Sequence, residues 1–384
     1  MKDSLHVLIV EDSELDAKVL EELLKSGGYD VTAVRAETES QMHEALNTGV
    51  YDVILADYNL PEFDAPTALR LLKESGRDLP FIVISGGIGE NMAVAIMKSG
   101  AHDYLMKGNL ARLVPAVERE VREARERAAH READANLRAA EEQMRIAHDI
   151  QQRLFPEKPP LIEGFDIAGV SRPADETGGD YFDYIPMQDG ALAIVVGDVT
   201  GHGIGPALLM AETRAYLRIL ALYQNDIGDI LTRANRVLSE DIDEERFVTL
   251  IIVKLNGNER TLRYASAGHA PCPWLDSQGK LKMELKRTGV PLGMRADVEY
   301  TASDTFSLEH GDLIALMTDG VEESLSVDQE MFGRERLLKM LRDNIGESSG
   351  NIVSQIHQAA ENHTEGLPQQ DDYTTIILRD NEKD

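Results

Sequence analysis

The sequence predicts a multidomain chain: an α/β, doubly wound, five-stranded parallel sheet, then a long helical linker, then an α+β domain with largely antiparallel sheets. Three observations carry this. Over residues 5–109, short apolar runs alternate with amphipathic stretches. Residues 116–155 contain neither Gly nor Pro. Beyond residue 160, several strand-like runs follow one another with no helix between them. The boundaries read as 1–112, 113–156 and 157–384.

In the first segment the apolar runs are 6–10, 31–34, 53–56, 81–84 and 103–106, with helical patterns at 13–25, 39–47, 66–75 and 90–99. Five strands alternating with helices imply a parallel sheet covered on both faces. In such sheets the working site lies at the carboxyl ends of the strands. The middle segment, if helical throughout, spans roughly 60 Å at 1.5 Å per residue. Its charges alternate in sign, as on a solvated helix. Two apolar seams run along it, Val114, Val117, Val121, Ala124, Ala128 and then, out of phase, Ala133, Leu137, Ala140, Met144, Ala147, Gln151, Leu154. A heptad seam calls for a partner helix, so a homodimeric coiled coil is expected, against the plainer reading of a helix packed on its own domains. In the last segment, strands are read at 165–170, 192–196, 247–255, 261–265, 281–286, 313–317 and 373–378. Helices are read at 205–223, 226–239, 334–342 and 350–363.

The formal net charge is -29. That balance repels phosphate backbones, and no basic recognition helix is visible, so no nucleic-acid partner is expected. The single cysteine, Cys272, builds neither a disulfide framework nor a thiolate metal site and is read as structural. The N-terminal apolar run is short and ends in acid, unlike a signal peptide. No run approaches the roughly 20 apolar residues of a membrane helix. The expectation is a cytoplasmic protein with no membrane partner.

Strand one ends in Glu11 and Asp12, strand three in Asp57 and strand four in Ser85, while Lys107 follows strand five. All fall at one edge of the expected sheet. Three carboxylates there repel one another unless a cation lies between them. Mg²⁺ suits a few carboxylate oxygens, and Lys107 adds a point charge. A carboxylate in such a place can attack phosphorus, with Ser85 able to donate a hydrogen bond to the phosphoryl group. The segments LIVEDS, DVILADYNLP, VISG and DYLMKGNL resemble the receiver domains of bacterial response regulators over about residues 5–125. The resemblance implies that Asp57 is the phosphoacceptor, that Glu11 and Asp12 hold Mg²⁺, and that Ser85, Lys107 and the aromatic Tyr104 complete the switch. It also implies a sensor histidine kinase as partner. Gly86-Gly87 stands where many receivers carry bulkier residues, so a mobile loop is expected there.

The last segment carries four small acidic motifs: GGDYFD with Asp180, GDVTGHG with Asp198, TDGV with Asp319 and DDYTTI with Asp371. Asp gives hard oxygen ligands suited to Mg²⁺ or Mn²⁺, and glycine lets backbone approach an ion closely. No zinc-type His/Cys spacing accompanies them. Four converging carboxylates call for about two divalent cations, which can share and activate a water for attack on a phosphomonoester. Asp183 and Asp372 lie beside these motifs and rank lower. With IQQRLFP, RPADETGGDYFDY, SAGHAP, TGVPLG and DYTTIIL, the set resembles the metal-dependent phosphatase (PPM) superfamily, in its bacterial branch that regulates sigma factors and sporulation, over about residues 145–380.

That resemblance implies a serine/threonine protein phosphatase with two Mn²⁺ or Mg²⁺ ions. Asp198 would bridge both, Asp180 and the backbone carbonyl of Val199 would serve one, and Asp319 and Asp371 the other. The implied substrate is a phosphorylated anti-sigma-factor antagonist of the STAS type. His202 and His269 either organise loops or meet substrate, and Arg172 either meets a substrate phosphate or is an ordinary surface residue. Phosphorylation of Asp57 is expected to act through the linker on phosphatase activity, with activation the expected sign. The competing reading is a phosphatase-like adaptor without activity that binds a sigma factor or anti-sigma partner. It would require the acid set to be broken, and Asp180, Asp198, Asp319 and Asp371 are all present.

Overall fold

In the computed structural model, residues 3–61, 63–87, 90–201, 203–242 and 246–381 are described. The chain divides into two compact units at residues 139 and 140. The first unit runs β1 (Asp3–Val10), α1 (Glu14–Ser26), β2 (Tyr29–Ala36), α2 (Glu39–Thr48), β3 (Val53–Asp57), α3 (Ala65–Glu74), β4 (Phe81–Ser85), α4 (Glu90–Lys98), β5 (Asp103–Met106) and into α5 (Leu113–Gln152). Its strands form one parallel sheet in the order β2-β1-β3-β4-β5. Period-two alternation sorts the side chains: Leu8, Val10, Ile54 and Val83 face a core shared with Met42 and Leu69, while Val7, Ile9, Leu55 and Ile82 face Leu20, Leu24 and Val117. Both faces of the central strands β3 and β4 are covered, which is why these read as unbroken apolar runs, whereas the edge strand β2 alternates with exposed residues. The helices start where short polar side chains accept backbone N–H groups: Ser13 from Asp16, Thr38 from Gln41 and Asp64 from Thr67.

Helix α5 is continuous over 40 residues. The structure divides its two seams. Val117 and Val121 are buried in the core of the first unit, with Val114 partly buried against it, so this stretch of the first seam packs on its own domain. Leu137 and Met144 in the second seam stay exposed.

The second unit contains β6 (Phe165–Arg172), β7 (Tyr181–Pro186), β8 (Leu192–Val199), α6 (Ile204–Ala221), α7 (Ile227–Asp241), β9 (Val248–Asn256), β10 (Thr261–Ala267), β11 (Cys272–Leu275), β12 (Leu281–Leu285), β13 (Phe306–Ser307), β14 (Leu313–Met317), α8 (Gly320–Glu323), α9 (Gly333–Asp343), α10 (Ser349–His363) and β15 (Tyr373–Asp380). Two five-stranded antiparallel sheets result, β13-β10-β9-β8-β7 and β12-β11-β14-β15-β6. Phe182, Ile194, Val253, Trp274, Leu316 and Leu378 fill the space between them. Helices α6 and α7 cover the outer face of the first sheet through Met210, Leu231 and Ile252. Helices α9 and α10 cover the second through Leu337, Ile356 and Ile377.

Three strands lie outside those read from the sequence, each for a local reason. Strand β7 carries Asp183 in its middle and ends in Pro186. Asp183 is nevertheless fully buried, because Arg218 holds both its oxygens at 2.6 Å and Tyr181 donates to it at 2.8 Å. Strand β11 contains Pro273, tolerated where the register shifts between Trp274 and Leu275. Strand β13 is two residues long and pairs only with β10. Among the described residues, no helix is long and apolar enough to cross a membrane.

Candidate functional site

The carboxyl edge of the parallel sheet gathers the expected residues. Carboxylate oxygens of Glu11, Asp12 and Asp57 lie within 4.8 Å of one another. The Lys107 ammonium bonds Glu11 at 2.8 Å, Asp57 at 2.8 Å and Asp16 at 2.6 Å. Burial alone would lower the Lys107 pKa. Its bonds with Asp16, Asp57 and Glu11 outweigh that, so it sits above the usual lysine range. Burial raises the carboxyl of Glu11 above its ordinary value, against hydrogen bonds from Lys107 and the Ser13 N–H. One ammonium among four acids leaves an excess of hard anionic oxygen, the donor chemistry of a Mg²⁺ site.

Asp57 keeps 11% of its side chain exposed. Ser85 is buried, and its hydroxyl oxygen accepts the Gly87 N–H at 3.3 Å. The hydroxyl of Tyr104 is buried with no hydrogen-bond partner among the described residues. Sequence reasoning missed Asp16. Its place in the first turn of α1 was legible, but its reach to Lys107 is a tertiary fact.

In the second unit, Asp198 is the penultimate residue of β8, Asp319 lies just beyond β14, and Asp371 and Asp372 precede β15. Asp198, Asp319, Asp371 and Asp372, with Asp175, line one cavity of about 480 Å³. Asp180 lies beneath it, 3% exposed: the Thr318 hydroxyl donates to its Oδ2 at 2.8 Å, and its own N–H donates to Asp372 Oδ2 at 3.1 Å. Burial, then the charges of Asp198 and Asp372, push the carboxyl of Asp180 well above the usual range. Asp198 is pushed up to about 7, by burial first and then by Asp319, Asp371, Asp372 and Glu323. Every charge acting strongly on it is an acid, so the donor set fits divalent cations. A Cβ on Gly179 would stand 2.5 Å from the Val199 carbonyl oxygen, so glycine there leaves that oxygen accessible.

Asp372 has a larger structural part than its sequence rank implied. It accepts the backbone N–H groups of Ala174 at 2.8 Å and Asp180 at 3.1 Å, which ties the loop after β6 to the start of β15. A Cβ on Gly320 would meet the Asp372 carbonyl oxygen at 2.1 Å, so the TDGV glycine answers to this packing.

His269 is 1% exposed and held neutral, its pKa lowered to about 4 by burial. A carbonyl can only accept, so Nε2 donates to Met317 O at 3.0 Å and Nδ1 accepts from Thr249 Oγ1 at 3.4 Å. His269 therefore organises the chain leading to Asp319. His202 lies outside the described residues. Arg172 is engaged by Glu361 of α10 and is absent from the residues lining the acid cavity. Sequence reasoning passed over Arg287, which lines a smaller pocket with Asp198, Asp319, Thr249 and His269. Its exposed guanidinium has no ion pair among the described residues. Cys272 is buried, its thiol pushed up to about 12 by burial, and is inert.

A family profile described as Stage II sporulation protein E (SpoIIE) matches residues 188–380, half of the chain, and one described as the response regulator receiver domain matches residues 7–118. The chain belongs to the SpoIIE family. It is 30% identical over 237 residues to phosphoserine phosphatase RsbU of Bacillus subtilis (strain 168), covering 62% of this chain and 70% of that protein. It is 30% identical over 256 residues to protein IcfG of Synechocystis sp., covering 60% of this chain and 40% of that protein. The solved SiaA-PP2C domain of Pseudomonas aeruginosa shares the fold, with a TM-score of 0.56 at 24% identity over 64% of this chain and 98% of that domain. This SpoIIE-family member is a metal-dependent, PPM-type protein phosphatase carrying a receiver domain.

The raised pKa of Asp198 fixes the sign of a pH effect. Between about pH 4, the ordinary aspartate range, and about pH 7, the folded metal-free protein holds a proton that the unfolded chain has lost. Stability of that form therefore falls as pH rises through this window. Urea midpoints of the metal-free protein, followed through its single tryptophan, Trp274, should drop more steeply from pH 5 to pH 8 in the wild type than in Asp198→Asn. Coincident slopes would contradict this electrostatic account.

Proposed function

We propose that this protein is a response regulator phosphorylated on Asp57 by a sensor histidine kinase. Its receiver controls hydrolysis of phosphoserine or phosphothreonine on an anti-sigma-factor antagonist of the STAS type. The observation that carries the reading is the acid cavity, where burial and like charge raise Asp198 to about 7. The relative named as a phosphoserine phosphatase supports the class of substrate.

Asp180, Asp198, Asp319, Asp371 and the carbonyl of Val199 would hold two Mn²⁺ or Mg²⁺ ions, and Glu11, Asp12 and Asp57 one Mg²⁺ in the receiver. When bound, the pair supplies a water of lowered pKa and neutralises charge on the phosphoryl group. The chain's own residues do the positioning. Thr318 and the Asp372 carboxylate hold Asp180 from two sides. Arg287 offers a fork of N–H donors beside Asp198 and Asp319, suited to phosphoryl oxygens. The exposed second seam of α5, with Leu137 and Met144, supports a homodimer through that helix.

Three outcomes are expected. Manganese-dependent hydrolysis of p-nitrophenyl phosphate by the full chain should fall by about 100-fold or more in Asp198→Ala. Absence of manganese binding in the wild type would instead return the adaptor reading. Arg287→Ala should raise KM for a phosphopeptide by about 10-fold with a smaller change in kcat, the size of one lost charge-assisted hydrogen bond; an unmoved KM removes Arg287 from the site. Beryllofluoride should raise turnover in the wild type and leave Asp57→Ala unchanged, and equal responses of the two proteins would end the proposed control by Asp57.

A further inference from the structure

The second seam of α5 holds one residue that does not belong in an apolar stripe. Gln151 is 4% exposed. A buried carboxamide must find partners for both ends or cost free energy, and Gln151 finds both on one residue. Its Nε2 donates to the Gly178 carbonyl at 2.7 Å, and its Oε1 accepts the Gly178 N–H at 3.1 Å. One helical turn earlier, His148 Nδ1 donates to the Glu176 carbonyl at 2.6 Å. The last turns of α5 thus hold the irregular stretch between β6 and β7 at two points on one helix face.

That stretch leads directly to the acids. A Cβ on Gly178 would lie 2.2 Å from Asp372 Oδ2, so its backbone rests against the Asp372 carboxylate. The same carboxylate takes the N–H groups of Ala174 and Asp180. Gln151–Gly178 and Asp372–Asp180 are joined by hydrogen bonds, Gly178 leaves no space for a Cβ against the Asp372 carboxylate, and all four residues are buried.

We infer that Gln151 is a positioning residue for the acid site: its two-point clamp on Gly178 makes the placement of Asp180 and Asp372 depend on the register of helix α5. This rests on the metal-site reading above. An α-helix rises 1.5 Å and turns about 100° per residue. A shift of one residue therefore swings the carboxamide away from Gly178 and leaves both backbone groups unpaired. The opposite end of the same helix is built into the core beneath the receiver sheet through Leu113, Val117 and Val121.

The test is Gln151→Ala, with Gln151→Glu as the graded variant that keeps the acceptor and loses the donor. Hydrogen exchange over residues 174–180 of the metal-free full chain reads the clamp without needing activity. Exchange at Gly178 and Asp180 should be faster in Gln151→Ala and intermediate in Gln151→Glu, with the urea midpoint reported by Trp274 close to wild type. Manganese binding, titrated by electron paramagnetic resonance, should weaken about 10-fold, the scale of losing a group that orients a ligand, while KM for p-nitrophenyl phosphate stays put. Wild-type exchange and wild-type manganese affinity in a folded Gln151→Ala protein would overturn the inference, as would losses that merely track a lower urea midpoint. If the wild type binds no manganese, the metal-site reading fails, while altered exchange would still show the clamp.

Discussion

The phosphatase unit depends on one constraint: several carboxylates share a partly dry cavity, and their mutual repulsion must be balanced from outside that set. A charge taken out of water is costly, and like charges in low dielectric add to the cost. Protonation answers it in the metal-free chain, as the raised carboxyls of Asp180 and Asp198 show. Divalent cations answer it in a PPM-type phosphatase. The surrounding architecture keeps the acids in place against that repulsion. Two sheets bring the ends of β8, β14 and β15 to one rim, and Asp372 ties two loops together through backbone N–H groups.

The receiver meets the same difficulty with a different solution. Its acids are closer together, but Lys107 stands among them and bonds three. Asp57 keeps part of its side chain exposed beside that resident cation. The acids of the second unit line a cavity of about 480 Å³, and the charges that act most on Asp198 are those of Asp319, Asp371, Asp372 and Glu323.

Helix α5 belongs to both units by covalent continuity. Its first turns are core residues of the receiver, its middle is solvated, and its last turn carries Gln151 and His148. A polar residue buried at the end of an apolar seam is a specificity device as much as a stabilising one, because only one register satisfies both of its hydrogen-bonding groups.

Much of this protein was legible in its residue order. Short apolar runs alternating with helical patterns placed all five receiver strands, because a parallel sheet covered by helices draws on such runs. The order of Glu11, Asp12, Asp57, Ser85 and Lys107 at successive strand ends, and of the four aspartate motifs, pointed to two candidate sites, since acids that topology brings to one edge call for a cation. What stayed hidden depended on distance in space. Strand β7 was obscured by Asp183, acceptable there only because Arg218 reaches it from α6. Asp16 and Arg287 have neighbours far along the chain, and Asp372 draws its importance from N–H groups nearly 200 positions away. Arg172 looked available in the sequence and is occupied by Glu361 in the fold. Sequence by itself determined the elements and the chemical character of the sites, because periodicity and side-chain type are local. Only tertiary structure decided which acids share a cavity, which arginine lies beside them, and where the linker helix grips, because burial and hydrogen-bond pairing are properties of position.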